Sequence, residues 1–488
     1  MKIKNIFNLF VVAALAFVTV SCDDFLDREP SNQSDSKSSV TSLRDAEVMM
    51  NGIMRKMSSY AYYGRNFVMY GDVKGGDLGI TTQGRGLDEM YVFNHQPDRG
   101  SYAGFWSQMY HCMTQVNNLL SNIETLNSDS YNQIKGEALT ARACIYFDLV
   151  RLYGQPYSMN KSAYGVPNVI DVLDATAQPE RATVAQNYDQ ILKDLKEGAA
   201  LMNKSKKDGY FNYFANKALE AKVKLYMEDY DGALTAAKEV INSGKYKLYS
   251  NDNWESSWTN PFGSESILEI AIYPDEADLG TGSLGFYLMR LGKKNGAMGW
   301  FMASDYFLNR LAADPDDVRW SVMEKDEIAE DNDIDRKGSC VKYSLGDKEG
   351  TTTAVNVKVI RLSEVYLIAA EAALLKSAPE KAAAAEYLQA IRKRSPNLEK
   401  ATASNISLDM ILDERSKELF AEGHRFFDMM RCNKTITFCD EMIKPAVVLT
   451  HRAKSIDRSF YKTILPISED EINANPVLEK QQNPGYTK

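Results

Sequence analysis

The chain has 488 residues, of which 44% are hydrophobic and 25% are charged, a balance typical of folded globular proteins and not of disordered chains. Lysine and arginine total 57 against 66 acidic residues, for a net charge of -9, which argues against binding to nucleic-acid backbones. Six cysteines without a C-x-x-C pair and only four histidines indicate neither a disulfide framework nor a multi-histidine metal site. No cofactor and no metal are predicted.

The N-terminus carries a sorting signal. Two lysines precede an apolar run from Ile6 to Val20, and Ser21 stands directly before Cys22. This pattern predicts a secretory signal peptide over residues 1–21, cleaved as in bacterial lipoproteins. Lipidation of Cys22 would anchor the mature chain, since two or more acyl chains hold a protein stably on a membrane. The alternative is a soluble secreted protein in which this cysteine is incidental.

A tether and a folded body follow the signal. Residues 22–42 are rich in Asp, Ser, Asn and Lys, which predicts a flexible, lipidated tether ahead of a single body over residues 43–488. The five cysteines of that body are an odd number in an oxidising compartment, and their mostly apolar surroundings favour buried free thiols. Whether Cys432 and Cys439 pair is left open by the sequence.

The body is predicted to be mostly α-helical. Apolar residues recur every three or four positions over residues 102–153, 183–244 and 361–395, the period of helices with one buried stripe. In the second of these stretches, Tyr230 followed by regularly spaced alanines is typical of the turn and second helix of a tetratricopeptide repeat. Alanine lets helices approach closely, so stacked pairs bury what one pair cannot. We therefore predict a tetratricopeptide-like helical-repeat scaffold, an α-α superhelix.

Two stretches interrupt this pattern. Residues 59–100 are rich in glycine and tyrosine, and residues 251–350 hold four of the five tryptophans with a strand-like run from Ile267 to Ile272. They are predicted to form a large irregular loop and short-strand insertion region with a functional role, because long loops in compact proteins are usually functional. A C-terminal helix and tail are expected over residues 406–488.

The irregular stretches supply candidate sugar-binding side chains. A sugar ring has a face of C–H groups and a rim of hydroxyls, so an aromatic ring covers the face while Asp, Asn and Arg bond the rim. The predicted glycan-binding residues are Tyr70, Asp72, Arg85, Tyr91, Phe93, Asn94 and Trp300. The alternative for each aromatic is that it anchors its loop to the helices. Trp320 lies in a helix-like context and is expected in the core.

A calcium site is considered at the run Asp331-x-Asp333-x-Asp335, whose alternate carboxylates can supply oxygen ligands. Arg336 and Lys342 stand where an EF-hand needs a glycine and a bidentate glutamate. The run is therefore interpreted as a solvated acidic loop.

Charged residues also share the buried side of a predicted helix that begins at Leu408. Arg415 and Glu422 lie along its apolar stripe, where an unpaired charge is costly. They are either an orienting arginine and a catalytic glutamate, or members of a buried ion-pair network with Glu414 and Glu418. The network is favoured, because nothing beside them supplies a nucleophile or a second acid.

Three segments together resemble one known family. They are Ser21-Cys22-Asp23-Asp24-Phe25-Leu26-Asp27, then Glu414-Arg415-x-x-Glu418-Leu419-x-x-Glu422-Gly423-His424-Arg425-Phe426-Phe427-Asp428-Met429-x-Arg431, and finally Leu465-Pro466-Ile467-x-x-x-Glu471-Ile472-x-x-Asn475-Pro476 with Gln482-Asn483-Pro484-Gly485-Tyr486. The chain is similar in these segments to the SusD/RagB family of outer-membrane nutrient-binding lipoproteins. The resemblance spans the mature chain and keeps the order of the segments.

This resemblance implies a surface-exposed lipoprotein of the cell outer membrane, with a tetratricopeptide-like helical half and an irregular half that carries the ligand site. Members of the family cap a SusC-like TonB-dependent transporter, capture oligosaccharides and are not enzymes. The repeat half is implied to face the transporter, and aromatic residues of the early loop and the later insertion to form the glycan surface. Site residues are the least constrained part of the family, so the seven candidates above rest on chemistry and not on carried-over positions.

The sequence thus predicts a non-catalytic glycan-binding lipoprotein for nutrient uptake in polysaccharide utilisation, with an oligosaccharide and a SusC-like transporter as partners and no nucleic acid. One alternative is a surface glycoside hydrolase, which needs two carboxylates at hydrolytic separation. Another is a tetratricopeptide-type adaptor with no nutrient ligand. Some relatives bind peptides or other nutrients, so the ligand and its linkage are left open.

Overall fold

The computed structural model describes residues 40–84, 87–100, 102–126, 128–273, 282–289, 297–344, 355–443 and 451–487. The predicted signal peptide, Cys22 and most of the tether lie outside the described residues, as does Arg85. Across the described part of the chain, no helix is both long and apolar enough to span a bilayer.

The described chain is mostly α-helical, as predicted. The helices are α1 (Leu43–Met57), α2 (Asn66–Val73), α3 (Asp88–Val92), α4 (Phe105–Leu126), α5 (Asn132–Tyr153), α6 (Tyr157–Asn160), α7 (Val184–Leu201), α8 (Tyr213–Tyr226), α9 (Tyr230–Asn242), α10 (Asn251–Trp254), α11 (Leu284–Leu288), α12 (Asp305–Leu311), α13 (Glu327–Asn332), α14 (Leu362–Leu375), α15 (Lys381–Arg392), α16 (Leu408–Glu418), α17 (Arg425–Arg431) and α18 (Glu469–Ala474). The strands are β1 (Leu78–Gly79), β2 (Ser266–Ile270), β3 (Met302–Ala303), β4 (Met323–Glu324), β5 (Ser339–Cys340), β6 (Val357–Arg361), β7 (Ile436–Thr437) and β8 (Ser455–Ile456). They pair antiparallel as β1–β3, β2–β6, β4–β5 and β7–β8.

The long helices stack in chain order. α4 packs against α5, α5 against α7, α7 against α8, α8 against α9, α9 against α14, and α14 against α15. Small side chains permit this close approach, since Ala233 and Ala237 of α9 and Ala369 and Ala373 of α14 are fully buried. The predicted helical-repeat scaffold is confirmed.

Local signals set several helix ends. The Thr183 side chain accepts a hydrogen bond from the Gln186 backbone N–H, and the Gln186 side chain accepts one from the Thr183 N–H at 2.9 Å, so the two residues form a capping box at the start of α7. α5 ends at Tyr153, and Gly154 and Pro156 follow. Glycine and proline are the usual stop signals of a helix. The predicted strand-like run from Ile267 to Ile272 contains most of β2, which pairs with β6.

Buried charges pair with one another where the segment from Glu414 to Arg431, which we call the C-terminal motif, meets the later insertion. The Arg361 guanidinium donates to Glu422 at 2.7 and 2.9 Å, to Glu265 at 3.1 Å and to Glu418 at 3.2 Å. Lys342 donates to Glu422 at 2.8 Å, and Arg394 to Glu265 at 3.0 Å. Burial alone would raise the pKa of Glu418, but Arg394 and Arg361 outweigh it and lower that pKa to about 2. The favoured sequence interpretation, a buried ion-pair network, is confirmed for Glu414, Glu418 and Glu422, which Arg319 and Arg361 link. Arg415 is also buried and paired, but its partners are Asp428 and Glu364.

The cysteines of the described residues are free thiols. Cys112, Cys144, Cys340 and Cys439 are buried, and Cys432 is half-buried. Burial raises the pKa of the Cys112 thiol to about 12, so it stays protonated at neutral pH. The prediction of buried free thiols is confirmed for these four, and no disulfide joins Cys432 to Cys439 in this structure.

Candidate functional site

The two irregular stretches meet at the β1–β3 pair. Leu78 pairs with Ala303 and Gly79 with Met302, which places the segment after β1 beside the segment before β3. The connection is reinforced by Ser304, whose N–H donates to the Asp77 carbonyl at 2.8 Å. Aromatic residues of the early loop and of the later insertion are therefore held next to each other.

Four side chains at this junction form what we call the aromatic surface: Tyr60, Arg65, Tyr287 and Trp300. The Trp300 ring meets the Tyr287 ring edge to face, with ring centroids 5.0 Å apart. Arg65 Nη1 donates to the Tyr287 hydroxyl at 3.1 Å. The Arg65 guanidinium lies 4.7 Å from the Tyr287 ring centroid and 5.2 Å from that of Tyr60. Tyr60 is 54% exposed and Trp300 is half-buried, whereas Arg65 and Tyr287 are buried, so Tyr60 and Trp300 are the rings that a ligand could reach.

Local structure fixes these groups in place. Arg65 Nε donates to the Asn66 side chain at 2.8 Å, and Asn66 donates in turn to the Ala103 carbonyl at 2.9 Å. The turn before Arg65 is so tight that a Cβ at Gly64 would overlap the Ser58 carbonyl, which requires glycine there. Burial lowers the pKa of the Arg65 guanidinium.

Several buried polar atoms near the junction lack a protein partner. Trp300 Nε1 and the hydroxyls of Thr81 and Thr82 make no hydrogen bond within the described residues. An unsatisfied buried polar group costs about 1–3 kcal/mol and calls for an explanation. These atoms are enclosed by the surrounding protein, so a ligand on the present surface would not reach them.

A cleft that we call the α1 cleft runs beside α1, the helix that leads into Tyr60. It has a volume of about 310 Å³ and is walled by the rings of Tyr210, Phe262 and Tyr273. The Tyr210 hydroxyl donates to the Asn51 side chain at 2.5 Å. Aromatic walls with an amide at the rim give the α1 cleft the same chemistry as the aromatic surface.

Three predicted platform residues are buried, and this part of the prediction is wrong. Tyr70, Tyr91 and Phe93 have no exposed surface. The rings of Tyr70 and Phe93 instead enclose the Lys74 ammonium, whose Nζ lies 4.4 and 3.8 Å from their centroids. Tyr91 donates to Asp440 at 2.8 Å. These rings anchor the early loop, which was the alternative interpretation.

The predicted polar residues of the glycan site are Asp72, Asn94 and Arg85, and they differ in burial. Asp72 is buried, so its assignment to the glycan rim is also wrong, and it accepts hydrogen bonds from the backbone N–H groups of Gly423 at 2.5 Å and Arg425 at 3.5 Å. Burial raises the pKa of the Asp72 carboxyl to about 8. Asn94 is half-buried and donates to Glu89 at 3.4 Å. Arg85 lies outside the described residues. Because Tyr70, Tyr91 and Phe93 are buried, Trp300 is the one predicted aromatic residue that belongs to the aromatic surface.

Sequence reasoning missed the partners of Trp300. Tyr60 stands in the tyrosine-rich early stretch, which is the one signal for it in the sequence. Arg65 and Tyr287 bond across 222 positions of the chain, a distance over which periodicity carries no information.

Within the described residues, no group of His, Cys, Asp and Glu side chains is arranged to hold a metal ion.

Comparison with known proteins gives consistent matches along the chain. The SusD family model matches residues 326–486, and a model described as "Starch-binding associating with outer membrane" matches residues 24–227. A solved SusD superfamily protein from Bacteroides thetaiotaomicron VPI-5482 is 32% identical, with a TM-score of 0.82 over 91% of this chain and 100% of its own. A solved laminarin-binding SusD-like protein is 24% identical, with a TM-score of 0.70 over 91% of this chain and 99% of its own. SusD-like protein P38 from Formosa agariphila is 23% identical over 89% of this chain and 93% of its own length.

The two matched models cover different parts of the chain. The model that ends at residue 227 includes the early irregular stretch, and the other includes the motif from Glu414 to Arg431. The predicted resemblance is therefore confirmed at both ends of the chain. This chain belongs to the SusD family, a glycan-binding family associated with the outer membrane.

Proposed function

We propose that this chain is a non-catalytic, cell-surface lipoprotein that captures oligosaccharides and delivers them to a SusC-like TonB-dependent transporter. The observation that carries the proposal is the aromatic surface, where exposed Tyr60 lies over the Arg65 guanidinium and half-buried Trp300 packs on Tyr287, the other ring that Arg65 contacts. A ring of this kind covers the C–H face of a sugar, and a guanidinium bonds its hydroxyl rim. A glycan ligand is also in keeping with the starch-binding family description and the laminarin-binding relative.

Capture would depend on preorganised groups. Arg65 is buried and is held by Tyr287 and Asn66, so it fixes the rings around it and little side-chain entropy is lost when a ligand meets Tyr60 and Trp300. Because stacked aromatic contacts are shallow, we expect modest affinity and tolerance of several chain lengths.

The non-catalytic part of the proposal is supported by how buried carboxylates are used. Glu414 pairs with Arg319 at 2.7 Å, and Glu418 and Glu422 both face Arg361. Glycoside hydrolysis needs a protonated acid and a second carboxylate about 5 to 10 Å apart beside the substrate. A carboxyl whose pKa is lowered to about 2, as for Glu418, is a poor proton donor at neutral pH.

Delivery to a transporter needs an anchor and a docking face. We assign the anchor to Cys22, by the lipoprotein pattern around it. We assign docking to the repeat half, where the loop between α6 and α7 exposes Ile170, Val172 and Leu173. This loop is held firmly, since Arg142 donates to the Ile170 carbonyl at 3.0 Å. Exposed apolar residues in close succession are typical of protein contacts.

Isothermal titration of the chain without residues 1–22 tests ligand capture. Maltohexaose and laminarihexaose are suitable first ligands, because starch and laminarin are the glycans named among the relatives. We expect Trp300→Ala and Tyr60→Ala each to raise Kd about 5- to 30-fold, which corresponds to about 1–2 kcal/mol. Tyr164→Ala, which removes an exposed ring from the repeat half, is the matched control and should leave Kd unchanged.

Two outcomes would contradict this proposal. Release of shorter sugars during the titration would support the hydrolase alternative. Unchanged affinity in both Trp300→Ala and Tyr60→Ala would remove the aromatic surface as the site, even if the chain binds a glycan elsewhere.

Docking is tested by co-purification of the full chain with its transporter. We expect Ile170→Asp combined with Leu173→Asp to reduce recovery of the transporter, whereas Val48→Asp, at an exposed position of α1, should not. Co-purification in the absence of binding to any glycan would favour the adaptor alternative. Metabolic labelling with palmitate, lost in Cys22→Ala, tests the anchor.

A further inference from the structure

The later insertion contains a second open cavity, which we call the Trp320 groove. Its volume is about 500 Å³, within the range of about 300–1,000 Å³ that is usual for small-molecule sites. One face of α12, the side chain of Trp320 and residues 334–337 line it. It shares no lining residue with the aromatic surface or the α1 cleft.

The apolar walls of the groove are an indole and aliphatic side chains. Trp320 was expected in the core, but it is half-buried and presents its ring to the groove. Leu308 of α12 and Ala312, which directly follows that helix, contribute to the lining, together with Ile334, which is 46% exposed. An exposed isoleucine beside a partly exposed tryptophan forms an apolar platform open to solvent.

The platform is rigid. Trp320 follows Arg319, which is buried and donates to Asp317 at 2.8 Å and to Glu414 at 2.7 Å. The Trp320 indole N–H donates to the Asp314 carbonyl at 3.4 Å. A fixed ring loses little conformational freedom when a ligand stacks on it.

The rim of the groove is polar, and the two acidic and two basic residues of its lining balance in charge. Asp305, Asn309, Asp335 and Lys337 lie at its edge and are exposed. Arg336 also lines the groove, but its charge is used within the protein, since Nε donates to Asp305 at 3.0 Å and Nη1 pairs with Asp326. Carboxylate and amide groups can bond sugar hydroxyls, and a lining whose charges balance offers an anionic uronate or sulfated sugar no net attraction.

We propose that the Trp320 groove is a second glycan site, which binds one or two neutral sugar units by stacking on Trp320 with hydroxyl contacts to Asp305, Asn309 and Asp335. The inference rests on the proposed glycan-binding function but not on the location of the first site. Two weak sites on one chain would raise the apparent affinity for a long polysaccharide, because binding at one site raises the effective concentration at the other.

Fluorine NMR of the full chain labelled with 5-fluorotryptophan tests this directly, because each tryptophan gives its own signal. Trp320→Phe identifies the Trp320 resonance. The probes are maltohexaose, laminarihexaose, cellohexaose and mannohexaose as neutral ligands, hexagalacturonate as an anionic ligand and a tryptic casein digest as a peptide ligand. We expect at least one neutral hexasaccharide to shift the Trp320 signal in a saturable manner, and hexagalacturonate to leave it in place.

Variants separate this site from the first. In Trp300→Ala the Trp320 shift should persist with a Kd within twofold of the wild-type value. Ala312→Arg, at an exposed position of the groove, should abolish the shift while leaving the melting temperature unchanged. If Trp300→Ala and Tyr60→Ala leave the Kd from isothermal titration unchanged and the Trp320 signal still shifts, the aromatic surface is refuted as a site and the Trp320 groove is supported.

Other results would overturn the proposal. Absence of a Trp320 shift with all four neutral sugars, loss of the shift in Trp300→Ala, or a shift with the casein peptides alone would each do so. Persistence of the shift in Ala312→Arg would also do so, because the groove would then not be the place of binding.

Discussion

Arg361 is the position where the buried ion-pair network can be tested most sharply. Its guanidinium bonds Glu422, Glu265 and Glu418 at 2.7 to 3.2 Å, and all of these side chains are buried. Arg361→Met keeps much of the side-chain volume but removes the charge. We therefore expect a large loss in the free energy of unfolding with no direct effect on ligand binding.

The magnitude follows from what the substitution leaves behind. Removing one partner of a buried pair costs about 3–5 kcal/mol, because the other charge stays buried without compensation. Glu422 would retain Lys342 at 2.8 Å, and Glu265 would retain Arg394 at 3.0 Å. Partial compensation places the expected loss at about 3 kcal/mol, which is a large fraction of a typical stability of about 5–15 kcal/mol.

Urea unfolding followed by tryptophan fluorescence is the assay. Trp258 is a local reporter, since the Arg361 guanidinium lies 5.2 Å from its ring centroid. The double variant Arg361→Met with Glu422→Gln should lose less than the sum of the two single variants, by about 0.5–3 kcal/mol, because the pair is removed together. Lys434→Met is the matched control, because it breaks an exposed pair with Asp409 and should cost about 0–1 kcal/mol.

Two results would refute this reasoning. A loss of less than about 1 kcal/mol in Arg361→Met would show that the network adds no more than a surface pair. Loss of glycan binding with unchanged stability would indicate that these charges act on a ligand, as the catalytic interpretation of Glu422 requires.

Two further predictions concern α2 and its contact with the C-terminal motif. Burial raises the pKa of Asp72 in the folded protein to about 8, against a usual 3.8, so the free energy of unfolding of the wild type should fall as pH rises from about 4 to about 8. Asparagine does not titrate, so the stability of Asp72→Asn relative to the wild type should be greater at pH 8 than at pH 4, as measured by urea unfolding at both pH values. An equal difference at the two pH values would contradict this. A Cβ at Gly71 would overlap the backbone of Gly423, so Gly71→Ala should cost about 1–3 kcal/mol in thermal unfolding. Gly52→Ala, in a helix position where a Cβ meets nothing within 4 Å, is its control and should gain about 0.5–1 kcal/mol.

These contacts explain why the C-terminal segment is recognisable in sequence. Glu418 and Glu422 pair with Arg361, the Gly423 N–H donates to Asp72, and Asp428 accepts from Arg415 at 2.8 Å. The glutamates tie this segment to β6 and Gly423 ties it to α2, whereas the Arg415–Asp428 pair joins α16 to α17. The segment holds the helical stack against the irregular half, so it marks the fold and not the ligand.

The helical architecture follows from the sequence because its causes are local. Apolar spacing, the capping box at Thr183 and the stop at Gly154 each act within a few residues of the structure they specify. Clustered alanines in α9 and α14 likewise indicate close helix packing before any contact is known. The division of the chain into a signal, a tether and one folded body stays a prediction.

Tertiary structure decides which aromatic rings of the irregular stretches face solvent. Tyr60 and Tyr70 are both tyrosines of one glycine-rich stretch, yet the first is exposed and the second has no exposed surface. The difference arises because Tyr70 packs against Phe105 and Phe426, which are distant in the sequence. Composition and periodicity determine which segments carry aromatic rings, whereas which ring faces solvent depends on long-range packing that only the folded chain specifies.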